Sequence, residues 1–286
     1  LSRSVQTPEG IQRPAPASPY ALPEGNVQIA FSGGRTSAYM LHQILEANGN
    51  LPDQVKVTFQ NTGREKAQTL DFVQEVGSRW GVPIVWLEYQ KEKPLFAVIS
   101  HNSASRNGEP FTALNKKKQA IPNIHQSFCS VQLKTLTAKR FLVSRGWKKW
   151  KTAVGLRADE MHRSPHDDNR ATVFLPLREA GVVKADVLQF WKRQPFDLRL
   201  PVLKSGNTLG GNCDGCFKKS EEMIAHMWRD DPQAYDWWEA EEKREGYQFS
   251  TRFSRAELRG FLERQGNMAL TTEGVLCQKD DGECMA

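Results

Sequence analysis

The chain has 286 residues, 39% hydrophobic and 25% charged, which is enough apolar content to bury a substantial core in one or two globular domains. No apolar run approaches the roughly 18 residues of a membrane-spanning helix, so a helical membrane protein is excluded as a class. The net charge of +6 is compatible with a nucleic acid or an anionic nucleotide as partner and decides between neither.

The first 25 residues are rich in proline, serine and polar side chains. This composition predicts a mobile or extended arm over residues 1–25. The arm contains no apolar stretch typical of a signal peptide, and we therefore expect a cytoplasmic protein.

From residue 26 the pattern alternates between strands and helices. Apolar runs predict strands at 26–31, 54–59, 81–89 and 150–156. Helical periodicity separates them: Ala38, Leu41 and Ile44 fall on one face after the first strand, and 130–146 predicts a helix before the fourth. Because this alternation is typical of βαβ crossovers, we predict an α/β fold over 26–180, a doubly wound, mostly parallel sheet with flanking helices.

The C-terminal part has a different character. From residue 181 to residue 286 the sequence is helical and aromatic in pattern and contains four of the five cysteines. We predict a helical, cysteine-containing C-terminal extension that packs on the sheet domain.

Segment 31–41, FSGGRTSAYML, places two adjacent glycines between two serines where the first strand passes into a helix. Such a turn exposes backbone N–H groups, and the helix N-terminus adds positive potential, so the segment predicts a phosphate site. Hydroxyls of Ser32, Thr36 and Ser37 and the charge of Arg35 would add donors. A glycine-rich turn with serine capping has the same local pattern. The segment matches neither the Walker A loop nor the G-x-G-x-x-G fingerprint.

The five cysteines form the second group of candidate residues. An odd number argues against a disulfide framework and favours metal or redox chemistry. Cys213 and Cys216 form a C-x-x-C in a glycine-rich loop, which puts two thiolates on one tight turn, and Cys129 opens the predicted helix at 130–146. A metal site, such as a closed zinc site, and thiols used singly or as a redox disulfide all remain open.

Five motifs in order resemble the phosphoadenosine-phosphosulfate reductase-like family of the adenine-nucleotide α-hydrolase (PP-loop ATP pyrophosphatase) superfamily. SGGRTS resembles the family's S-G-G-x-[DT]-S pyrophosphate loop, and GNCDGCFKK its late C-x-x-C. The motifs are SGGRTS (32–37), FQNTGREKAQTLDFV (59–73), FCSVQLKTLTAKRF (128–141), VGLRADEMHRS (154–164) and GNCDGCFKK (211–219).

The resemblance implies a role for each matching position. The nucleotide would be held by Ser32, Gly33, Gly34, Arg35, Thr36, Ser37, Thr62, Gly63, Gly155 and Arg157. The catalytic lysine would be Lys134. Asp159, Glu160 and Arg163, in the loop after the last predicted strand, are weaker candidates for the nucleotide site, and a solvated charged loop explains them equally. A [4Fe–4S] cluster, or zinc as the alternative, would be bound by Cys129, Cys213 and Cys216, with Cys277 or Cys284 as a fourth ligand.

The chain also departs from the family's pattern. Cys129 is followed by Ser130, where cluster-bearing reductases carry a Cys-Cys pair, and the chain ends in GECMA instead of the reductases' ECG-[IL]-H. The phosphate loop, SGGRTS at 32–37, matches the family's motif at nearly every position, with Thr36 in place of the common aspartate. This retention favours ATP with Mg²⁺ as the nucleotide.

Three functions follow from the resemblance. The first is ATP-dependent, pyrophosphate-releasing activation coupled to sulfur transfer from a sulfur donor, onto tRNA or DNA. For this the basic stretches 115–119 and 146–151, with tryptophans for base stacking, would contact phosphates, although a solvated basic face explains them equally. The second is reduction of a sulfonucleotide to sulfite by Cys284 with a thioredoxin-like reductant. The third is a nucleotide-binding module without turnover.

Overall fold

The structure is a computed structural model that describes residues 18–203 and 207–265. Cys277 and Cys284, predicted as ligand and nucleophile, lie outside the described residues. The strands are Val27–Ala30 (β1), Val55–Asn61 (β2), Ile84–Tyr89 (β3), Phe96–Ile99 (β4), Trp150–Val154 (β5) and Ala171–Phe174 (β6).

The helices surround these strands, and a π-helical turn, Ser130–Thr135, runs directly into the fourth of them. They are Arg35–Asn48 (α1), Ala67–Arg79 (α2), Glu109–Lys118 (α3), Leu136–Ser144 (α4), Pro176–Glu179 (α5), Lys184–Trp191 (α6), Glu221–Asp230 (α7), Pro232–Glu245 (α8) and Arg255–Gln265 (α9). In the described part of the chain, no helix is long and apolar enough to cross a membrane.

The described strands form one sheet in the order β4-β3-β2-β1-β5-β6. All neighbouring strands are parallel except β3 and β4. This arrangement confirms the predicted fold class. From β1 the chain moves to β2 and β3 on one side and later to β5 on the other, so the strand order reverses between β1 and β5. Open α/β sheets bind ligands beyond the carboxyl ends of the strands at such a reversal.

The main hydrophobic core lies between β1, β2 and the helices that cover them. Every residue of β1 is buried, as expected for a central parallel strand. Ala38, Leu41 and Ile44 of α1 point into this core, as their spacing predicts. Trp191 of α6 and Leu200 join the same core, so the segment after residue 180 packs against the sheet. The division into 26–180 and 181–286 stays a prediction.

A second apolar cluster forms where the C-terminal helices meet α3 and the π-helical turn. Phe111, Leu133, Trp238 and Phe249 are buried in it. Cys129 and Cys213 are members of the same cluster. The C-terminal helices therefore complete the surroundings of the predicted cysteine site.

Candidate functional site

The loop between β1 and α1 has a conformation that only glycine accommodates at one position. Gly33 has φ +81°, and a Cβ there would lie 3.0 Å from the side chains of Phe59 and Thr69. Gly34 follows as the N-cap of α1, without a side chain that could cap the helix. Ser37 Oγ donates to the Gly34 carbonyl (3.0 Å) and accepts from the Ser32 N–H (3.2 Å). The serines thus hold the loop closed around the helix N-terminus, where an anion is favoured.

The loop after β5 touches the loop after β1. A Cβ on Gly155 would lie 3.3 Å from the Cα of Ser37, so the backbones approach closely. Arg157 is 3% exposed, and its Nη1 donates to Thr36 Oγ1 (3.2 Å). The guanidinium also donates to Asp159 Oδ1 (2.9 Å), and Glu160 accepts the Arg157 backbone N–H (3.0 Å). The two carboxylates therefore hold a buried positive charge against the phosphate loop.

Arg35 points away from this opening. Its Nε and Nη2 donate to the two carboxylate oxygens of Asp197 (2.7 and 2.8 Å), and its Nη1 donates to Thr208 Oγ1 (3.1 Å). Nη2 also donates to the Leu198 carbonyl. Because a bidentate carboxylate occupies this guanidinium, we propose that Arg35 ties α1 to the segment after α6 and does not bind the nucleotide.

Thr62 and Gly63 lie at the carboxyl end of β2, beside β1. Gly63 has φ +79°, and a Cβ there would lie 3.0 Å from the backbone of Gly108. Thr62 donates both its backbone N–H and its hydroxyl to Glu65 Oε2, each at 2.8 Å. This fixes the loop after β2 in a tight turn.

The C-x-x-C loop attaches to that turn. Glu65 and Cys213 form an isolated antiparallel β-bridge, and Asp214 N donates to the Arg64 carbonyl (2.9 Å). The attachment brings Cys213 Sγ within 3.2 Å of Thr62 Oγ1. Two segments about 150 residues apart in sequence thus meet at the carboxyl edge of the sheet.

A cavity of about 20 Å³ lies at this junction. Several residues of the sequence motifs line this cavity: Thr62, Cys129, Ser130, Lys134, Cys213 and Cys216. Of these, Lys134 is 8% exposed. The structure therefore places the three described cysteines and the predicted catalytic lysine around one space.

Burial raises the pKa of the Cys213 thiol well above its ordinary value, and the negative charge of Glu65 acts in the same direction. Lys134 and the hydrogen bond with Thr62 oppose this change. Cys213 Sγ and Thr62 Oγ1 are 3.2 Å apart, and either atom can be the donor. Glu65 Oε1 is buried and has no hydrogen-bond partner among the described residues. Glu65 lies in the motif at 59–73, but no role was predicted for it from the sequence.

A larger cavity of about 440 Å³ opens beside the loop after β5. Val154 and Leu156, on either side of Gly155, line it together with Arg163. Ser130 and Lys218 line both this cavity and the cysteine cavity. Its volume is in the range of small-molecule sites. The two cavities thus share a wall formed by Ser130 and Lys218.

A metal bound by thiolates requires several cysteine side chains that point to one space. Three thiols around one cavity fit the chemistry of an iron–sulfur or zinc site. Within residues 18–203 and 207–265, however, no group of three or more His, Cys, Asp or Glu is arranged to hold a metal ion. The shared cavity, and not a preformed ligand sphere, is therefore the structural support for a metal here.

The basic stretches differ from the prediction in one respect. Lys116, Lys117 and Lys118 at the end of α3 are exposed, as nucleic-acid contacts require. Trp147 and Trp150 are only 8% and 5% exposed because they pack with α4 in an apolar cluster. The prediction that these tryptophans stack on bases was wrong. Their neighbours in the sequence, the lysines, reach solvent because they alternate with the buried rings.

A mostly parallel sheet with a Ser-Gly-Gly loop after β1, and with its partner loops after β2 and β5, is the arrangement that the resemblance to the PP-loop superfamily implies. No family model matches the chain. It is 32% identical over 213 residues, 71% of this chain and 69% of the relative, to the uncharacterized nin region protein ORF290 of Escherichia phage lambda. The chain belongs to the family of that phage protein.

Three solved structures match the chain, each with a TM-score below 0.5. Phosphoadenylyl-sulfate reductase from Candida auris in its phosphate complex is 18% identical, with a TM-score of 0.42 over 65% of this chain and 81% of that one. The U34-tRNA thiolase NcsA from Methanococcus maripaludis with its [4Fe–4S] cluster is 12% identical, with a TM-score of 0.40 over 88% and 80%. NMN synthetase from Francisella tularensis is 15% identical, with a TM-score of 0.39 over 88% and 90%.

Proposed function

We propose that the chain is an enzyme that binds ATP at the loop after β1 and couples pyrophosphate release to sulfur transfer. One observation carries the proposal: the phosphate loop and the buried charge of Arg157 lie at the carboxyl ends of β1 and β5, and the cavity lined by three cysteines includes Thr62 at the carboxyl end of the neighbouring β2. A site that only binds a nucleotide would not need the three cysteines. A structural thiol cluster alone would not need the phosphate loop.

The phosphate loop and Arg157 would bind and orient the triphosphate together with its Mg²⁺. The N-terminus of α1 and the backbone at Gly33 and Gly34 face the phosphates, and Arg157 approaches from the loop after β5. An oxygen of the acceptor attacks the α-phosphorus, the bond between the α- and β-phosphates breaks, and pyrophosphate leaves. A sulfide (HS⁻) supplied by the sulfur donor then attacks the activated carbon and displaces AMP, which carries the oxygen away.

The cysteine cavity would hold the sulfur chemistry. Cys129, Cys213 and Cys216 are the residues that would bind a [4Fe–4S] cluster, which when bound supplies an iron to hold a sulfur species. The positive charge of Lys134 favours the thiolate of Cys213, because it opposes the effect of burial on that pKa. The acceptor we propose is a nucleic acid, tRNA or DNA, which the exposed lysines 116–118 would contact through phosphates.

The first experiment tests the phosphate loop. Gly34 has φ −98° and ψ 165°, a conformation open to any residue, so Gly34→Asp and Gly34→Asn differ chiefly in one charge. A charge about 4 Å from a phosphate costs on the order of 4 kcal/mol in a partly screened site. We expect Gly34→Asp to bind ATP at least a hundredfold more weakly than Gly34→Asn, measured by calorimetry. Equal ATP affinities of the two variants would contradict the assignment of this loop as the phosphate-binding site.

The second experiment separates the reactions. Release of AMP and pyrophosphate from ATP, followed by liquid chromatography, supports the proposed function. Release of sulfite from a sulfonucleotide with a thioredoxin-like reductant identifies a reductase instead. Tight ATP binding without either product identifies a binding module.

A further inference from the structure

A third cavity, of about 310 Å³, lies on the other side of the residues that follow the C-x-x-C. Phe217 and Lys218 line both this cavity and the cysteine cavity. The remaining walls come from the start of α7, from residues 249–255 between α8 and α9, and from His125. Neither the phosphate loop nor the loop after β5 reaches it. The cavity is thus a separate space from the proposed nucleotide site.

The unusual feature of this cavity is a buried ammonium group. Lys219 lines the cavity and is 5% exposed. Its Nζ is buried and has no hydrogen-bond partner in the described part of the chain. A lysine is almost never fully buried unless its charge is paired, because removal from water penalises the charged form. The position therefore calls for an anion.

The other charges around the cavity do not provide that anion. The lining contains four basic residues, Lys218, Lys219, Arg252 and Arg255, and one acidic residue, Glu221. Glu221 is engaged by Arg252, whose Nη1 lies 2.6 Å from Glu221 Oε1.

Arg255 adds a second unsatisfied donor. It is 1% exposed, and its Nε is buried without a hydrogen-bond partner among the described residues. Its Nη2 donates to the Gly215 carbonyl (2.7 Å), which is neutral. Glu242 accepts the backbone N–H of Arg255 (2.6 Å) and is the nearby carboxylate that offsets part of this charge. The charge of Lys219 has no such counterpart in the described lining.

We propose that this cavity binds a small molecule through an oxyanion, a phosphate or a carboxylate group, held by Lys219. Arg255 contributes the Nε donor, and the hydroxyl-bearing residues Ser250 and Thr251 line the same wall. The volume accommodates a molecule larger than the oxyanion itself. Because Phe217 and Lys218 separate it from the cysteines, the occupant would sit directly behind the cysteine cavity.

The test uses the full chain in calorimetric titrations with inorganic phosphate and, separately, malonate, at constant ionic strength set with chloride. We expect one of the two anions to bind with one site per chain in the Gly34→Asp variant, in which the phosphate loop is blocked. Lys219→Met, which keeps the length of the side chain and removes its charge, should weaken that binding at least tenfold. Lys219→Arg should retain it.

The outcomes separate this site from the proposed function. Lys219→Met should bind ATP as the unmodified chain does, because Lys219 does not line the nucleotide site. Binding of phosphate preferred over malonate identifies a phosphorylated ligand, and the reverse a carboxylate. If neither anion binds, or if Lys219→Met binds it unchanged, the proposal is overturned whatever the result for ATP.

Discussion

Gly33 and Gly155 bring the loops after β1 and β5 together. Gly33 turns the chain through a positive φ beneath Phe59 and Thr69, where a Cβ would be only 3.0 Å from each side chain. Gly155 has no such φ, and its role is the close approach to Ser37. Arg157, two residues after Gly155, can donate a hydrogen bond to Thr36 because neither glycine has a side chain that would keep the two loops apart.

At the residue scale, replacement of Cys213 tests the proposed metal site. Cys213→Ser removes one thiolate at nearly constant volume. We expect the protein purified without oxygen to contain about four irons with matching sulfide, the stoichiometry of a [4Fe–4S] centre. Cys213→Ser should lose most of that iron and keep the same circular dichroism spectrum.

Thr62→Val is the matched control for this measurement. It removes the hydroxyl 3.2 Å from Cys213 Sγ and leaves the three thiols in place, so iron should be retained. If Cys213→Ser keeps its full iron content, Cys213 is not a ligand of the cluster. One zinc without iron would indicate a closed structural site instead.

At the scale of single elements, α1 shows how one helix serves both core and site. Its N-terminus faces the phosphate loop, and its apolar face enters the main core. His42 lies on this helix against the rings of Trp80 and Phe190, with ring centroids 5.1 and 4.9 Å away. Burial lowers the pKa of His42 from its ordinary 6.5, and Glu46 opposes this only in part.

This pKa has a consequence for stability. Because the unfolded chain binds the His42 proton more readily, stability from this group is present above pH 6.5 and is lost as the pH falls through the lower pKa of the folded state. Replacement by glutamine removes the titration. We expect His42→Gln to lose less melting temperature than the unmodified chain between pH 7.5 and pH 5. Parallel melting curves would contradict the assignment of this pH dependence to His42.

At the scale of the whole molecule, one ion pair joins the sheet to the C-terminal helices. Arg64, in the turn after β2, donates from Nε and Nη2 to the two oxygens of Asp214 (2.9 and 2.6 Å). Nη2 also donates to the Ala234 carbonyl of α8 (2.9 Å), and the guanidinium stacks 4.8 Å from the centre of the Trp237 ring. Trp238 Nε1 donates to the same carboxylate (3.0 Å). The cysteine cavity thus depends on contacts between distant segments.

Loss of Arg64 should be strongly destabilising. Both side chains of the pair are at most 10% exposed, so Arg64→Met would leave a buried carboxylate without its counter-charge. We expect a loss of about 3–5 kcal/mol in the free energy of unfolding, measured with urea. The double variant Arg64→Met/Asp214→Asn should be less destabilised than the sum of the two single variants, since no buried charge remains unpaired. Strict additivity would show that the pair is not coupled.

The amount that could be predicted differs between strands. β1, β2, β3 and β5 are apolar runs with buried residues, and the sequence pattern located each of them within a few residues. The pattern missed β4 and β6, the two edge strands, which have four residues each and are largely half-buried. A short edge strand shows neither a continuous apolar run nor regular alternation.

The sequence by itself determined the α/β class and the candidates for the phosphate loop and the cysteine site, because turn chemistry and burial patterns are local properties of neighbouring residues. Only the tertiary structure decided which side chains meet: Arg35 with Asp197, Arg157 with Thr36, and Cys129 with Cys213 around one cavity. The tertiary structure also showed that the ammonium group of Lys219 is buried. Such pairings join segments up to 162 residues apart, and no local pattern specifies them because they arise from the packing of already formed elements.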